Sequence, residues 1–421
     1  MYYWYKILTY LFYPFAPIYL HIRKVRKKED LIRHKEKLSK INKPRGDGFL
    51  MWFHVASVGE AMSILPLIDF FEKDPKINKI LITSITISSG KILNKKFEKS
   101  SKITHQFLPF DIPVFTNKFL NHWKPNLSVF IDSEIWPNLI LDIKKKKIPL
   151  LLINARITKK SFDRWKLAKN FSKKIFEKFD LCLVSNKDTE HFLKILGAKN
   201  IKNYGNLKFS NIKNSLNKKL ENAFLDKVQE RKIWCAASTH FDEEKICAQS
   251  HIKIKEKFNK VLTIIIPRHI DRVKEITEDL LKLNLKIVLS SEINKTRNDT
   301  DIILVDSYGE ASKFYDISKY VFLGKSLIKS LIKNSGQNPI EPARLGCKIL
   351  HGPYTSNFAE TYKYFKDLGI TKEVNNSDEL SIFLVEEFGK DEPKNEEIGI
   401  KIENYGQNIL NNVAIELKKY I

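Results

Sequence analysis

From residue 48 onward, short apolar runs alternate with longer stretches whose apolar residues recur every three or four positions. The runs at 49–55, 79–84, 127–132, 148–153 and 181–185 have the length of buried strands, and stretches such as 60–72 and 187–196 carry helical spacing between them. The rhythm returns with strands expected at 233–237, 261–266, 286–289, 301–305, 320–323 and 348–351. A βαβα alternation predicts parallel sheets covered by helices on both faces. The two series part near the Lys- and Asn-rich stretch 208–219, so the pattern predicts an α/β protein of two Rossmann-like domains facing a cleft. A final helix over about 403–420 is expected to pack back on the first domain.

Length and composition agree with two cores, since 421 residues exceed one ordinary domain and 43% are apolar. Cys182, Cys235, Cys247 and Cys347 lack C-x-x-C spacing, which argues against a disulfide framework or a zinc site and suits a reducing cytosol. The net charge of +24 raises the question of nucleic acid. Only 11 of the 73 basic residues are arginine, however, and they spread along the chain with no helix-turn-helix, RNP or zinc-finger pattern. No nucleic-acid partner is therefore expected, and an anionic membrane surface fits the charge better. A chain this rich in lysine keeps arginine where the planar fork matters, which marks Arg156 and Arg268.

The N-terminus points the same way. Residues 2–20 are apolar and aromatic with a single lysine, and Arg23, Lys24, Arg26, Lys27 and Lys28 follow. Such a segment, with no small-residue cleavage site after it, is expected to anchor the chain, and Pro14 and Pro17 leave spanning and interfacial forms both open. The expected division is thus an anchor at 1–30, a first domain at 31–207, a second at 208–402 and the returning helix at 403–421.

The chain has no G-x-G-x-x-G and no P-loop, which argues against a dehydrogenase and a P-loop NTPase. Its conspicuous features are five strand-to-helix junctions: Ser57–Glu60, Asp132–Pro137, Ala237–His240, Pro267–His269 and Asn338–Pro342. Helix N-termini offer free amides and partial positive charge, so such junctions suit phosphates and carboxylates. Each also has a plain structural reading. Ser57-x-x-Glu60 fits a capping box, and Asn338-Pro339 fits an N-cap followed by proline at N1. Glu60 is open to a second reading, because a carboxylate at the end of a parallel strand is placed to accept a substrate proton.

At these junctions the chain resembles the 3-deoxy-D-manno-octulosonic acid (Kdo) transferases. The strings WFHVASVGE, DSEIWPNLI, LLINARIT, YGNLKF, AASTH, IPRH, GQNPIEPARLG and GPYTSNFAE stand in the family's order, from the N-terminus to about residue 365. The resemblance implies a GT-B glycosyltransferase that needs no metal or other cofactor. It would move Kdo, with inversion, from CMP-Kdo to the lipid A precursor at the cytoplasmic face of the inner membrane. It places Glu60 as general base and Glu134 as an orienting acid on the acceptor side. Arg156 would be an acceptor contact or an interdomain ion pair. Lys208, Ser238, Arg268, His269, Asn338 and Glu341 would serve the donor: Arg268 and Lys208 against its charge, Ser238 by hydroxyl and amide, Asn338 at phosphate and Glu341 at ribose.

The chain departs from the family where Gly324-Lys325-Ser326 and a longer loop to Asn334 replace Gly-Gly-Ser and a short loop, and Gln337 stands where histidine is usual. Two other readings compete with the Kdo transferase. One is a different GT-B enzyme, either a transferase with another donor or a sugar-nucleotide epimerase. The other is a basic membrane- or RNA-binding protein without catalysis.

Overall fold

The computed structural model describes residues 2–40, 43–210, 220–329, 335–390 and 392–421. The chain forms two compact units, one from Met1–Asn211 with Tyr405–Ile421, the other from Ile212–Asn404. The first boundary falls a few residues beyond the expected 207/208.

In the first unit β1 (Leu50–His54), β2 (Lys79–Ser84), β3 (Ile103–Phe107), β4 (Leu127–Ile131), β5 (Leu150–Ala155), β6 (Leu181–Val184) and β7 (Ile201–Asn203) form one sheet in the order β3-β2-β1-β4-β5-β6-β7. Every pairing is parallel. Continuous apolar runs are what a sheet buried on both faces requires, and all five residues of β1 are buried. Trp52 anchors this core against Phe119 and Phe130, with ring centroids 5.0 and 5.3 Å away. Strand β3 reads Ile-Thr-His-Gln-Phe and carries no apolar run. Its buried polar side chains are each met sideways through one atom, His105 Nε2 lying 2.9 Å from Ser84 Oγ and Gln106 accepting from Trp123 Nε1 at 2.9 Å, while His105 Nδ1 and Gln106 Nε2 have no hydrogen-bond partner among the described residues.

The N-terminal segment forms two short helices, Tyr2–Phe12 and Ala16–Val25, joined by a 3₁₀ turn at Tyr13–Phe15. Pro14 and Pro17 lie where each following helical element begins, which interrupts a continuous helix. Among the described residues no helix is long and apolar enough to cross a membrane. One face of the segment docks: Ala16 and Leu20 are buried, the Tyr13 ring lies 5.2 Å from Phe115, and Tyr5 donates to Asp111 at 2.8 Å. The same Asp111 accepts from the amides of Asn138 and Leu139 at the start of the helix Pro137–Lys145. The other face leaves Trp4, Leu8, Leu11, Phe15 and Ile18 exposed, each by 60% or more.

The last helix runs Glu396–Lys418, beginning earlier than expected, and from Tyr405 it belongs to the first unit. There Tyr405 stacks edge-on against Phe209 at 5.1 Å, and Glu416 accepts from Lys202 and Tyr204 at 2.9 and 3.0 Å.

In the second unit β8 (Lys232–Thr239), β9 (Val261–Pro267), β10 (Ile287–Leu289), β11 (Ile302–Leu304), β12 (Tyr320–Leu323), β13 (Lys348–His351) and β14 (Thr371–Glu373) form a sheet in the order β10-β11-β9-β8-β12-β13-β14, again all parallel. Trp234, Tyr320 and Phe322 fill its core. Two seven-stranded parallel α/β units in one chain are the architecture of the GT-B class. The short strands β7 and β14, like β3, were not predicted; all three lie outside the apolar centre of their sheets.

Candidate active site

In the first sheet β1, β2 and β3 build outward to one side, and β4 then returns to the other side of β1. Loops leaving two such strands in opposite directions open a crevice at their carboxyl ends, the usual ligand position of a parallel α/β sheet. Glu60 follows β1 there, and Asp132 and Glu134 follow β4.

Ser57 caps the helix Val58–Glu72, with extended backbone and Oγ accepting from the Glu60 amide at 3.3 Å. The Glu60 carboxylate turns back to accept from Ser57 Oγ at 2.9 Å and from the Ala56 amide at 2.7 Å. The capping box is therefore present, with its return bond displaced one residue toward the strand. Burial raises the affinity of Glu60 for a proton, with the Glu134 charge adding to it, while the Ala56 and Ser57 bonds oppose. A carboxylate tethered by its own helix start, yet with raised basicity, has the chemical properties that general-base work requires.

Glu134 is buried, and two donors converge on one of its oxygens. His54 Nε2 lies 3.1 Å and Trp136 Nε1 2.8 Å from Oε2. Behind His54, its Nδ1 lies 2.9 Å from Thr83 Oγ1, which accepts from Trp52 Nε1 at 2.9 Å. A carboxylate can only accept, so His54 donates to it through Nε2–H, and on the other side of the ring the Thr83 hydroxyl also reaches the Phe53 carbonyl at 3.4 Å. Burial alone would raise the Glu134 carboxyl, but the His54 and Trp136 contacts outweigh it and hold the group below its ordinary value. His54, fully buried in β1, was not singled out from the sequence.

Asp132 was also missed. Its φ of +60° is left-handed, a conformation that Asp and Asn tolerate better than most residues. Burial, followed by the Glu60 carboxylate, pushes it up to about 6, with Lys208 and Arg156 pulling the other way. Those two cations thus stand in the first unit. The Arg156 amide donates to the Asp132 carbonyl at 3.3 Å. Lys208, expected at the start of the second domain, falls in the first unit. The 3₁₀ turn Leu207–Ser210 is tied to β5 through the Leu207 amide and Asn154 Oδ1 at 2.9 Å, and Phe209 stacks on Tyr405. Burial lowers the Lys208 ammonium, partly restored by Asp132.

The second sheet has its own switch point between β8 and β12. Ser238, at φ +54°, is the extra residue where the β8–β9 register shifts between Ala237 and Thr239, just before β8 ends. Arg268 leaves the end of β9 exposed, its amide bonded to the Thr239 carbonyl at 3.0 Å. His269 is exposed too, its ring edge-on to His240 at 5.7 Å. His240 donates through Nδ1 to the Ser238 carbonyl at 3.1 Å. Burial brings it down to about 4, and Lys325, His269 and Arg268 push in the same direction. Lys325, Arg268 and His269 therefore gather about one strand end, a setting for an anion.

The Asn338 junction differs in detail from expectation. Pro339 takes the N-cap position of the short helix Ile340–Arg344, and Asn338 Oδ1 accepts from the Ile340 amide at 3.1 Å. Burial raises the Glu341 carboxyl, opposed by Arg344. Residues 330–334 of the longer loop lie outside the described residues. Among the described residues no group of three or more His, Cys, Asp or Glu is arranged to hold a metal ion.

A family model described as 3-deoxy-D-manno-octulosonic-acid transferase (kdotransferase) matches residues 30–211. The 3-deoxy-D-manno-octulosonic acid transferase of Rickettsia bellii (strain RML369-C) is 35% identical over 378 residues, covering 89% of this chain and 88% of the relative. That of Haemophilus influenzae (strain ATCC 51907 / DSM 11121 / KW20 / Rd) is 29% identical over 330 residues, 78% of this chain and 76% of the relative. In fold, the chain is similar to the UDP-GlcNAc 2-epimerase of Neisseria meningitidis, with a TM-score of 0.56 at 16% identity over 88% of this chain and 99% of that one. With a switch-point carboxylate in the first unit, a cationic strand end in the second and a 35% match over most of its length, the chain belongs to the 3-deoxy-D-manno-octulosonic acid transferase family.

Proposed function

We propose that this protein transfers Kdo from CMP-Kdo to a lipid A precursor, inverting the anomeric carbon, with Glu60 as general base and no metal. The observation that carries the reading is Glu60 itself: a carboxylate held at the β1/β4 switch point by Ala56 and Ser57, with its basicity raised by burial and by Glu134. In the proposed step Glu60 accepts the proton of an acceptor hydroxyl as that oxygen bonds to C2 of Kdo. The bond from C2 to the phosphate oxygen breaks, and CMP leaves with the electron pair. Arg268, with Lys325 and His269 near the same strand end, would offset the charge that grows on the departing phosphate.

Ser238, Asn338 and Glu341 would complete the donor site, with Glu341 accepting from ribose hydroxyls. Glu134 and Arg156 would orient the acceptor sugar. The acceptor is an anionic lipid, and the exposed apolar face of residues 2–25, beside Arg23, Lys24, Arg26, Lys27 and Lys28, is the feature expected to seat the enzyme on the cytoplasmic face of the inner membrane.

The test is transfer from CMP-Kdo to a tetra-acylated lipid A precursor, wild type beside Glu60→Gln, with products weighed by mass spectrometry. The expected result is one or more added Kdo masses with wild type, and turnover down by about 10²-fold or more in a folded, CMP-binding variant. Failure of the wild type to transfer from CMP-Kdo would overturn the donor assignment. Equal turnover by the variant would overturn the base.

A further inference from the structure

The second unit contains a carboxylate that the proposed chemistry does not use. Glu243, the first residue of the helix Glu243–Lys255, is completely buried. Four backbone amides converge on it. Those of His240 and Lys325 donate to Oε2 at 2.9 and 2.6 Å, and those of Ser326 and Leu327 donate to Oε1 at 3.0 and 3.1 Å. Three successive N–H groups turned toward one point form a concave anion site. Here the anion filling it is a side chain of the same chain.

The approach is close. A Cβ on Gly324 would lie 2.6 Å from Glu243 Oε2, from the Ser238 carbonyl and from Thr239 Cα, so only glycine fits between the two strand ends. From this point the loop is tied to two other junctions. The Gly336 amide donates to the Lys325 carbonyl at 2.7 Å, and the Gly352 amide to Ser326 Oγ at 2.9 Å. The Tyr354 amide donates to the Ser326 carbonyl, and Asn357 to that of Ser335, both at 2.9 Å. Segments 238–240, 324–327, 335–338 and 352–357 are thus one hydrogen-bonded assembly, and Glu243 lies at the bond between the first two.

We propose that Glu243 is a positioning residue for donor binding: it locks the Gly324–Leu327 loop to the end of β8, so that Lys325 joins Arg268 and His269 where the donor's phosphate is held. The proposal rests on the reading of the second unit as the site of an anionic sugar nucleotide. It carries a further consequence, that the loop attracts the donor through the Lys325 side chain, because its amides are already satisfied by Glu243.

The experiment uses the full-length protein and calorimetric titration with CMP, UDP and GDP, beside steady-state KM and kcat for donor and acceptor. Glutamine at 243 keeps one acceptor oxygen and sets an amide NH₂ against backbone donors. Glu243→Gln is therefore expected to weaken the preferred nucleotide about tenfold or more and to raise donor KM by a similar factor, with acceptor KM within about twofold of wild type. Unchanged nucleotide affinity in a folded Glu243→Gln protein would overturn the proposal, as would an equal rise in both KM values. Should that variant fail to fold, Lys325→Ala decides: weaker, less salt-sensitive nucleotide binding supports the proposal, and unchanged binding overturns it. Preference of the wild type for UDP or GDP would remove the cytidine assignment alone, and the same comparison would then be read with that nucleotide.

Discussion

The imidazole of His54 and the carboxylate of Glu134 meet 3.1 Å apart across two adjacent strand ends, 80 residues apart in sequence. Trp136 donates to the same oxygen, and Thr83 holds the far side of the ring. Leucine at 54 would remove the donor, while the Thr83 hydroxyl would keep Trp52 and the Phe53 carbonyl. A charged acceptor that loses one such bond forfeits about 2 kcal/mol, so His54→Leu is expected to lower kcat/KM by ten- to a hundredfold. His54→Gln, which can still donate, should recover part of that loss. Wild-type kcat/KM in a folded His54→Leu protein would remove the ring from any part in the reaction.

The charge of Glu134 contributes to the raised proton affinity of Glu60. A neutral glutamine in its place lets Glu60 give up its proton more easily, so the acidic limb of the kcat/KM profile should move to lower pH in Glu134→Gln. A limb that stays in place would show that the two groups are not coupled during catalysis.

Asp132 is expected to trade stability for function. Its folded value of about 6 lies above the ordinary 3.8. Above about pH 6 the carboxylate is charged in both the folded and unfolded chain, and the folded state bears the full burial penalty. That penalty shrinks as pH falls through 6 and is gone below the unfolded value. For a partly exposed group it amounts to at most about 3 kcal/mol. Asp132→Asn, which suits φ +60° equally well, should therefore raise Tm by a few degrees at pH 8 and converge with wild type near pH 4, while lowering turnover. Thermal unfolding across that range checks it, and a variant less stable at pH 8 would contradict the assigned cost.

Trp4 and Leu8 stand on the exposed face of the first helix, above a docked face that holds Tyr5 and Ala16 in place. Serine at both exposed positions should leave the fold intact and reduce sedimentation with vesicles containing anionic lipid by about tenfold or more. High salt should weaken the wild type further, since the basic run 23–28 contributes. Undiminished vesicle binding by the double variant would place the membrane contact elsewhere.

What the sequence disclosed follows from which interactions are local. Ser57-x-x-Glu60 could be read because both partners of the cap lie within four residues and an apolar run precedes them. Arg268 could be read because it directly follows the longest apolar run of the second half. His54 sits inside an apolar run, where one polar residue looks like core, and its meaning comes from Glu134 on a neighbouring strand. Glu243 resembles an ordinary helix-start acid until the amides of 325–327 are seen to reach it. Strands β3, β7 and β14 escaped for another reason: each is short or polar and lies at an edge of its sheet, where no long apolar run is required. Lys208 was assigned to the wrong unit because the domain boundary was set by composition, whereas the turn that carries it is fastened to β5 and the last helix.

That last helix has a bearing on how the protein is made. The first unit draws on residues 1–211 and on Tyr405–Ile421, so nearly 200 residues of translation separate its two parts. On the ribosome the second unit has its whole sequence available while the first still lacks Tyr405, which covers Phe209, and Glu416, which receives Lys202 and Tyr204. The unit that carries Glu60 and Glu134 is thus the last to be finished, and a chain released early would hold a complete second unit and an unsealed first one.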